Sequence, residues 1–193
     1  MGQIWCGIRL YQHQAAAEAA LRKIDALMPV VTEAEESWHA VAMPIHHHGQ
    51  TNWLDGAIDN LFTTHSDPLS NGDDAPLMVM TTAGFHSDQT IIQRVSDFID
   101  NLADVRESMH AQPGLRTQQA AFNVAGRNPI EDGITLSIWD NEALMKRFAY
   151  RPGRHRQQIE RFKRENLQDR SSFTRFRMLE SIGSWYGRDL LEC

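Results

Sequence analysis

Nine histidines are the side chains here best suited to move protons or hold a metal near neutral pH. Four stand out by spacing. His46, His47 and His48 are adjacent, which invites a metal hypothesis. In an extended segment, however, neighbours point to opposite faces, so only His46 and His48 could share a site. No carboxylate or cysteine follows at ligand spacing, and a solvated loop or pocket lining is the reading preferred over a metal centre. His155 is different. It lies one turn before Ile159, in a helical pattern that starts near Arg154 and has Ile159 and Phe162 as its apolar face, so the imidazole is predicted to point with that stripe. Such a histidine either ligates a metal or caps and packs its helix, and spacing alone leaves both open. Arg151, Arg154, Arg156 and Arg161 surround it, as anion partners or as a solvated helix face; Arg156 is assigned to the face. No Gly-x-Ser-x-Gly elbow, P-loop, Rossmann fingerprint or Cys-x-x-Cys pair occurs.

The elements that must position these groups can be read in order. Ile4 to Leu10 alternates as a first strand, with Ile4, Cys6, Ile8 and Leu10 on one face. Residues 14–28 are helix formers with Leu21, Ile24 and Met28 as the buried stripe, ended by Pro29. Ser37 to Ile45 is a strand whose Pro44 suits an edge, because proline cannot donate to a ladder. A short helix over 52–62 precedes a polar, turn-rich linker, Thr63 to Ala75. The linker divides the chain into 1–65 and 76–193.

The second part is more complete. Pro76 to Phe85 reads as a strand. Asp88 to Met109 reads as a helix with Ile91, Ile92, Val95, Phe98, Ile99, Leu102 and Val105 as a wide apolar face. Pro113-Gly114 turns the chain into a strand over Leu115 to Val124. Gly126 to Asp132 is a turn, and Ile134 to Trp139 is the hairpin partner. Asp140 or Asn141 can cap a helix with Leu144, Met145 and Phe148 as its stripe, broken by Pro152 and Gly153. Phe173, Phe176, Met178 and Ile182 belong to a last strand. The order βαββαβ is ferredoxin-like, and a weaker echo of it in the first part suggests a tandem repeat.

Composition bounds the function. The chain has 193 residues, 41% apolar and 23% charged, as in an ordinary globular domain. A net charge of −6 gives a nucleic-acid partner no support. No run approaches the length of a membrane span, and MGQIWCGIRL lacks a basic region followed by an apolar core. Two cysteines are too few for a disulfide scaffold, so a cytoplasmic, reduced chain is expected.

The stretch Gly133 to Gly187 resembles the C-terminal half of the spheroidene monooxygenase family. The resemblance is carried by Ser137-Ile138-Trp139, Met145, Phe148-Ala149, Gly153, His155, Ile159, Arg175-Phe176 and Gly183-Ser184-Trp185-Tyr186-Gly187, in that order, and extends back to about Pro76. It implies an α+β fold of the dimeric α/β-barrel type, built from ferredoxin-like halves, and a haem-dependent oxygenase acting on a small or hydrophobic organic substrate. On that reading His155 is the proximal ligand of a haem b iron. Trp139, Phe148, Phe122 and Ile159 wall the macrocycle, and Arg151 and Arg154 meet the propionates. Asn123, His86 and Arg175 are the polar residues placed to activate oxygen. An electron donor and a homodimer would be the partners. Other haem chemistry, a ligand-binding protein and a cofactor-free monooxygenase of the same fold are the alternatives. The first part is short for the family, which bears on the substrate more than on the fold.

Overall fold

The computed structural model describes residues 4–50, 75–86, 88–122, 132–150, 154–165 and 168–192. Among them, in chain order, are α1 (Gln14–Leu21), α2 (Ile24–Leu27), α3 (Val30–Glu33), β1 (Trp38–Gly49), β2 (Leu77–Gly84), α4 (Ile91–His110), β3 (Leu115–Phe122), β4 (Asp132–Trp139), α5 (Glu142–Tyr150), α6 (Arg154–Glu165) and β5 (Arg170–Gly183). The strands form one sheet in the order β1-β5-β2-β4-β3. The β2–β4, β2–β5 and β3–β4 pairs are antiparallel. From β2 onward the chain therefore runs βαββαβ, with its second crossover made of α5 and α6, and the last, first, third and second strands lie side by side. That is the ferredoxin-like arrangement, of α+β class, as expected.

Local chemistry explains the boundaries. Gly114 has φ +81 and makes the turn into β3. Asn141 caps α5, its Oδ1 accepting from the Leu144 N–H at 2.9 Å. Asp140, the other candidate cap, pairs instead with Arg116 at 2.7 Å. Pro44 sits in β1, an edge strand, the place in a sheet where a residue without an N–H is tolerated.

Contacts divide the chain into two compact units, Met1–Met43 with Met178–Cys193, and Pro44–Arg177. In the larger unit the sheet residues Leu77, Val79 and Trp139 pack with Val105 and Met109 of α4 and Met145 of α5. A second cluster joins Ala83 and Phe85 to Ile91, Val95 and Phe98 of α4. In the smaller unit Glu36 ties the closing Gly-Ser-Trp-Tyr-Gly segment. Its carboxylate accepts from Ser184 Oγ at 2.9 Å and from the Tyr186 and Gly187 N–H groups at 2.9 and 2.7 Å.

Several expectations are corrected. Ile4 to Leu10 forms no strand; it has strand alternation without a hydrogen-bonded neighbour among the described residues. The helix expected over 14–28 stops at Leu21 and resumes as two short pieces, the second beginning just after Pro29, because a stripe of few buried side chains does not hold one axis. The apolar face of α4 is narrower than predicted: Ile92 is 76% exposed and Ile99 is also exposed, while Asn101 and Met109 are buried. The three histidines lie inside β1 and not in a loop. The helix over 52–62, most of the linker from Thr63 and the turn residues 126–131 fall outside the described residues.

Candidate functional site

A cleft of about 360 Å³ opens in the larger unit where β1 ends and β5 begins. Gly49, Gln50, Phe162, Gln168, Asp169, Arg170 and Ser171 line it. Glycine is required at 49: φ is +98, and a Cβ there would strike the Ser171 carbonyl, which accepts from the Gln50 N–H at 2.8 Å. Phe162, from α6, closes the apolar side and packs at 5.3 Å on Phe98. Arg170 pairs with Asp132 at 2.8 Å, and its guanidinium passes over Gly84, where any Cβ would meet it.

Asp169 carries the polar side. It accepts from the His86 N–H at 2.6 Å and from Arg94 Nη1 at 2.7 Å. Arg94 Nη2 donates to the His86 carbonyl at 3.0 Å and to Asp88 at 3.1 Å. Burial acts to raise the Asp169 carboxyl, but the His86 N–H, the Arg94 guanidinium and the neighbouring His86 imidazole outweigh it and hold the group below the ordinary carboxylate range. The cleft therefore joins an aromatic wall, a fixed carboxylate, compensated guanidinium groups and one exposed imidazole on its flank.

The predicted site residues are distributed along the sheet. His86 belongs to the cleft end. Arg175 lies opposite Val79 in the β2–β5 register, seven positions along the ladder from His86, or about 23 Å at the rise of a strand. One oxygen cannot meet both. Arg175 pairs with Glu142 at the start of α5, and its buried Nε finds no partner. Partial burial, then the Arg175 guanidinium and the neighbouring His48 and His47, hold His46 below the usual imidazole value, with Glu142 acting in the opposite sense. His47 shares a hydrogen bond with the buried Thr174 hydroxyl at 2.8 Å. No group of three metal-binding side chains occurs among the described residues.

The expected macrocycle walls do not line one slot. Trp139 is fully buried, bonded through Nε1 to Ser137 at 3.0 Å and stacked on Phe148 at 5.5 Å, so the two fill the core together. Phe122 is exposed at the end of β3. Arg156 and Arg161 pair along α6 with Glu160 and Glu165. His155 is in the first turn of α6, seven positions before Phe162. Its side chain, those of Arg154 and Ile159, and the whole of Asn123 and Arg151 lie outside the described residues.

Asp169, Arg94 and Arg170 were missed in the sequence. The signal available was two adjacent opposite charges, Asp169-Arg170, opening a strand, which reads as ordinary surface until Arg94 and Asp132 are folded against them. Gln118 was missed too: it is 2% exposed on β3, opposite Ser137, with both amide atoms unpartnered.

No family model and no curated protein matches the chain. Among solved structures, a candidate monooxygenase from Fusobacterium nucleatum aligns with 91% of this chain and 68% of its own at TM-score 0.51 and 10% identity. A mutant of SnoaB, a cofactor-independent oxygenase from Streptomyces nogalater, aligns with 63% of this chain and all of its own at TM-score 0.38 and 12% identity. A candidate antibiotic biosynthesis monooxygenase from Deinococcus radiodurans covers 58% of this chain and 93% of its own at TM-score 0.39 and 14% identity. The likeness is one of fold alone, an antiparallel α+β sheet with ferredoxin-like order, and the resemblance to the spheroidene monooxygenase family is met at that level only.

Proposed function

We propose that the chain is a monooxygenase-like enzyme acting on a small, oxidisable organic molecule held in the cleft beside Phe162 and Asp169. The observation that carries this reading is the meeting of His86, Asp169 and Arg94 next to an open, one-sided aromatic cleft. Phe162 offers a face to a planar substrate, and the Gln50 and Gln168 amides can fix its polar groups. His86 is the side chain there suited to accept a proton at neutral pH. Asp169 holds the His86 backbone in place and Arg94 holds Asp169. A phenol or enol deprotonated there becomes electron-rich enough to reduce oxygen itself. The proton goes to the imidazole, the substrate carbanion adds to O2 to give a hydroperoxide, and cleavage of its O–O bond with loss of water leaves a new carbonyl, so the substrate supplies the electrons and the second oxygen atom leaves as water.

The test is oxygen uptake with a panel of small phenols and enolisable ketones. His86→Gln is expected to lower turnover by about 100-fold, the usual lower bound for loss of a general base, with thermal stability unchanged. Turnover that survives the substitution overturns the role of His86.

A haem held by His155 is the second reading, favoured by the position of His155 in the first turn of the helix that walls the cleft. Haem would supply the oxygen activation, and the cleft would then only place the substrate. Haemin titration separates the two: a Soret band lost in His155→Ala supports the haem, and no uptake of haemin removes it.

A further inference from the structure

The Asp169 carboxylate is held through one oxygen only. Its Oδ2 accepts both from the His86 N–H and from Arg94 Nη1, at 2.6 and 2.7 Å. Its backbone N–H donates to the Gly84 carbonyl at 2.9 Å, so main chain and side chain together fix the residue to the end of β2. Oδ1 makes no hydrogen bond or ion pair among the described residues. An ionised carboxylate offers about four lone-pair sites, and here one whole oxygen is left to the cleft that Asp169 lines. Against the opposing effect of burial, the His86 N–H and the Arg94 guanidinium lower the carboxyl value, so the group carries its charge at neutral pH.

The positive groups nearby are already matched. Arg94 lies between Asp169 and Asp88, at 2.7 and 3.1 Å, and Arg170 is paired with Asp132 at 2.8 Å. On α6, Arg161 and Arg164 both turn to Glu165. At the cleft, three carboxylates therefore stand against two guanidinium groups, and the surplus charge is negative. A substrate carboxylate would find no free cation among the lining residues and would face the open oxygen of Asp169. A cationic donor meets the reverse: an acceptor that is ionised, anchored and only partly exposed, where a charge-assisted hydrogen bond is stronger than in open water. Phe162 lines the same cleft, and its packing on Phe98 holds an aromatic surface there for a ring or for the methylene groups beside an ammonium.

We propose that the cleft selects a protonated aliphatic amine carried on a small aromatic body, with Asp169 Oδ1 receiving the ammonium N–H and Phe162 the apolar part. The choice of an amine rests on the cleft being the substrate site, as proposed above, and adds what the substrate carries besides its oxidisable ring. Aliphatic amines have an ordinary value of about 10, so the charge is present at neutral pH without help from the site.

Three ligands that differ in one group test this. Tyramine, tyrosol and phloretate share a phenol ring and a two-carbon arm that ends in an ammonium, a hydroxyl and a carboxylate. Their dissociation constants are measured by NMR titration of the intact protein under nitrogen, so that binding is read apart from turnover. Tyramine is expected to bind about tenfold or more tighter than tyrosol, the usual gain from a hydrogen bond to a charged group, with phloretate weakest. Asp169→Asn keeps an oxygen for the His86 N–H and presents an amide NH2 in place of the open acceptor. Tyramine should lose its advantage in that variant, while tyrosol binding changes by less than about twofold. Retained tyrosol binding shows an intact cleft, a split that a merely structural role for Asp169 would not give. Equal binding of the three, tightest binding of phloretate, a tyramine advantage that survives Asp169→Asn, or a parallel loss of tyrosol in the variant overturns the amine site and leaves the phenol reading of the cleft standing. Binding of none of the three overturns both. Ammonium-selective binding without oxygen uptake supports the amine site and removes the oxygenase reading instead.

Discussion

Replacing Asp169 by alanine takes away one acceptor that serves two donors. The His86 N–H lies at the surface, and water can replace the carboxylate there. Arg94 is the costly partner. Its side chain and that of Asp169 are each less than one-fifth exposed, its Nε is already buried without a partner, and it would be left with the His86 carbonyl and the more exposed Asp88. A hydrogen bond to a charged group contributes roughly 1.5–3 kcal/mol, so the expected loss is about 2 kcal/mol. For a chain of this length that corresponds to a fall in melting temperature of about 4–8 °C. Asp169→Asn keeps an acceptor for His86 and loses the charge, and about half the effect is expected. Urea unfolding of Asp169→Ala, Arg94→Met and the double variant separates the pair from its surroundings: a coupling of about 1–2 kcal/mol is expected. The folded-state carboxyl is depressed, so its stabilisation is complete above the unfolded value near 3.9 and fades as pH falls through the folded value. The acid limb of the stability curve should therefore flatten in Asp169→Asn. A loss below about 0.5 kcal/mol in Asp169→Ala, or a double variant that is strictly additive, refutes the assignment of Asp169 as the anchor of the cleft.

Gln118→Leu should stabilise the protein by about 1–2 kcal/mol in urea, since it removes a buried amide with no partner from beneath the helices; destabilisation would mean that the amide is satisfied. Gly49→Ala should cost about 2–3 kcal/mol, from the positive φ and the Ser171 carbonyl together, and should close the cleft; a neutral outcome in thermal melts counts against the geometry of the β1 end. The Gly187 N–H, the Ser184 hydroxyl and the Tyr186 N–H hold the Glu36 carboxyl below its ordinary value against a smaller opposing effect of burial. Its hold on the closing segment is therefore complete above the ordinary glutamate value and fades as pH falls through the lowered folded value, and hydrogen exchange at Tyr186 and Gly187 should quicken on strong acidification in the parent but not in Glu36→Gln.

Much of the fold was legible because its elements are locally determined. The alternation in 134–139, the asparagine before α5 and the proline of the edge strand each act within a few residues, and each sits where the pattern put it. The long amphipathic α4 was legible as a helix, but how wide a stripe is buried depends on how much of it the neighbours cover, and Ile92 and Ile99 were left outside. The N-terminal alternation shows the limit more sharply. Period two specifies that Ile4 to Leu10 is suited to a ladder, but a ladder needs a partner, and only tertiary or quaternary structure supplies one. The site was less legible still. His86 was identifiable as a polar residue at a strand end, but its neighbours Asp169 and Arg94 lie 83 and eight positions away, and the charges of Asp169 and Arg170 look like surface until the antiparallel β2–β5 register brings Gly84 opposite Arg170. The same register separates His86 from Arg175. Composition and spacing determined which residues could do chemistry; strand register, which no local pattern encodes, decided which of them meet.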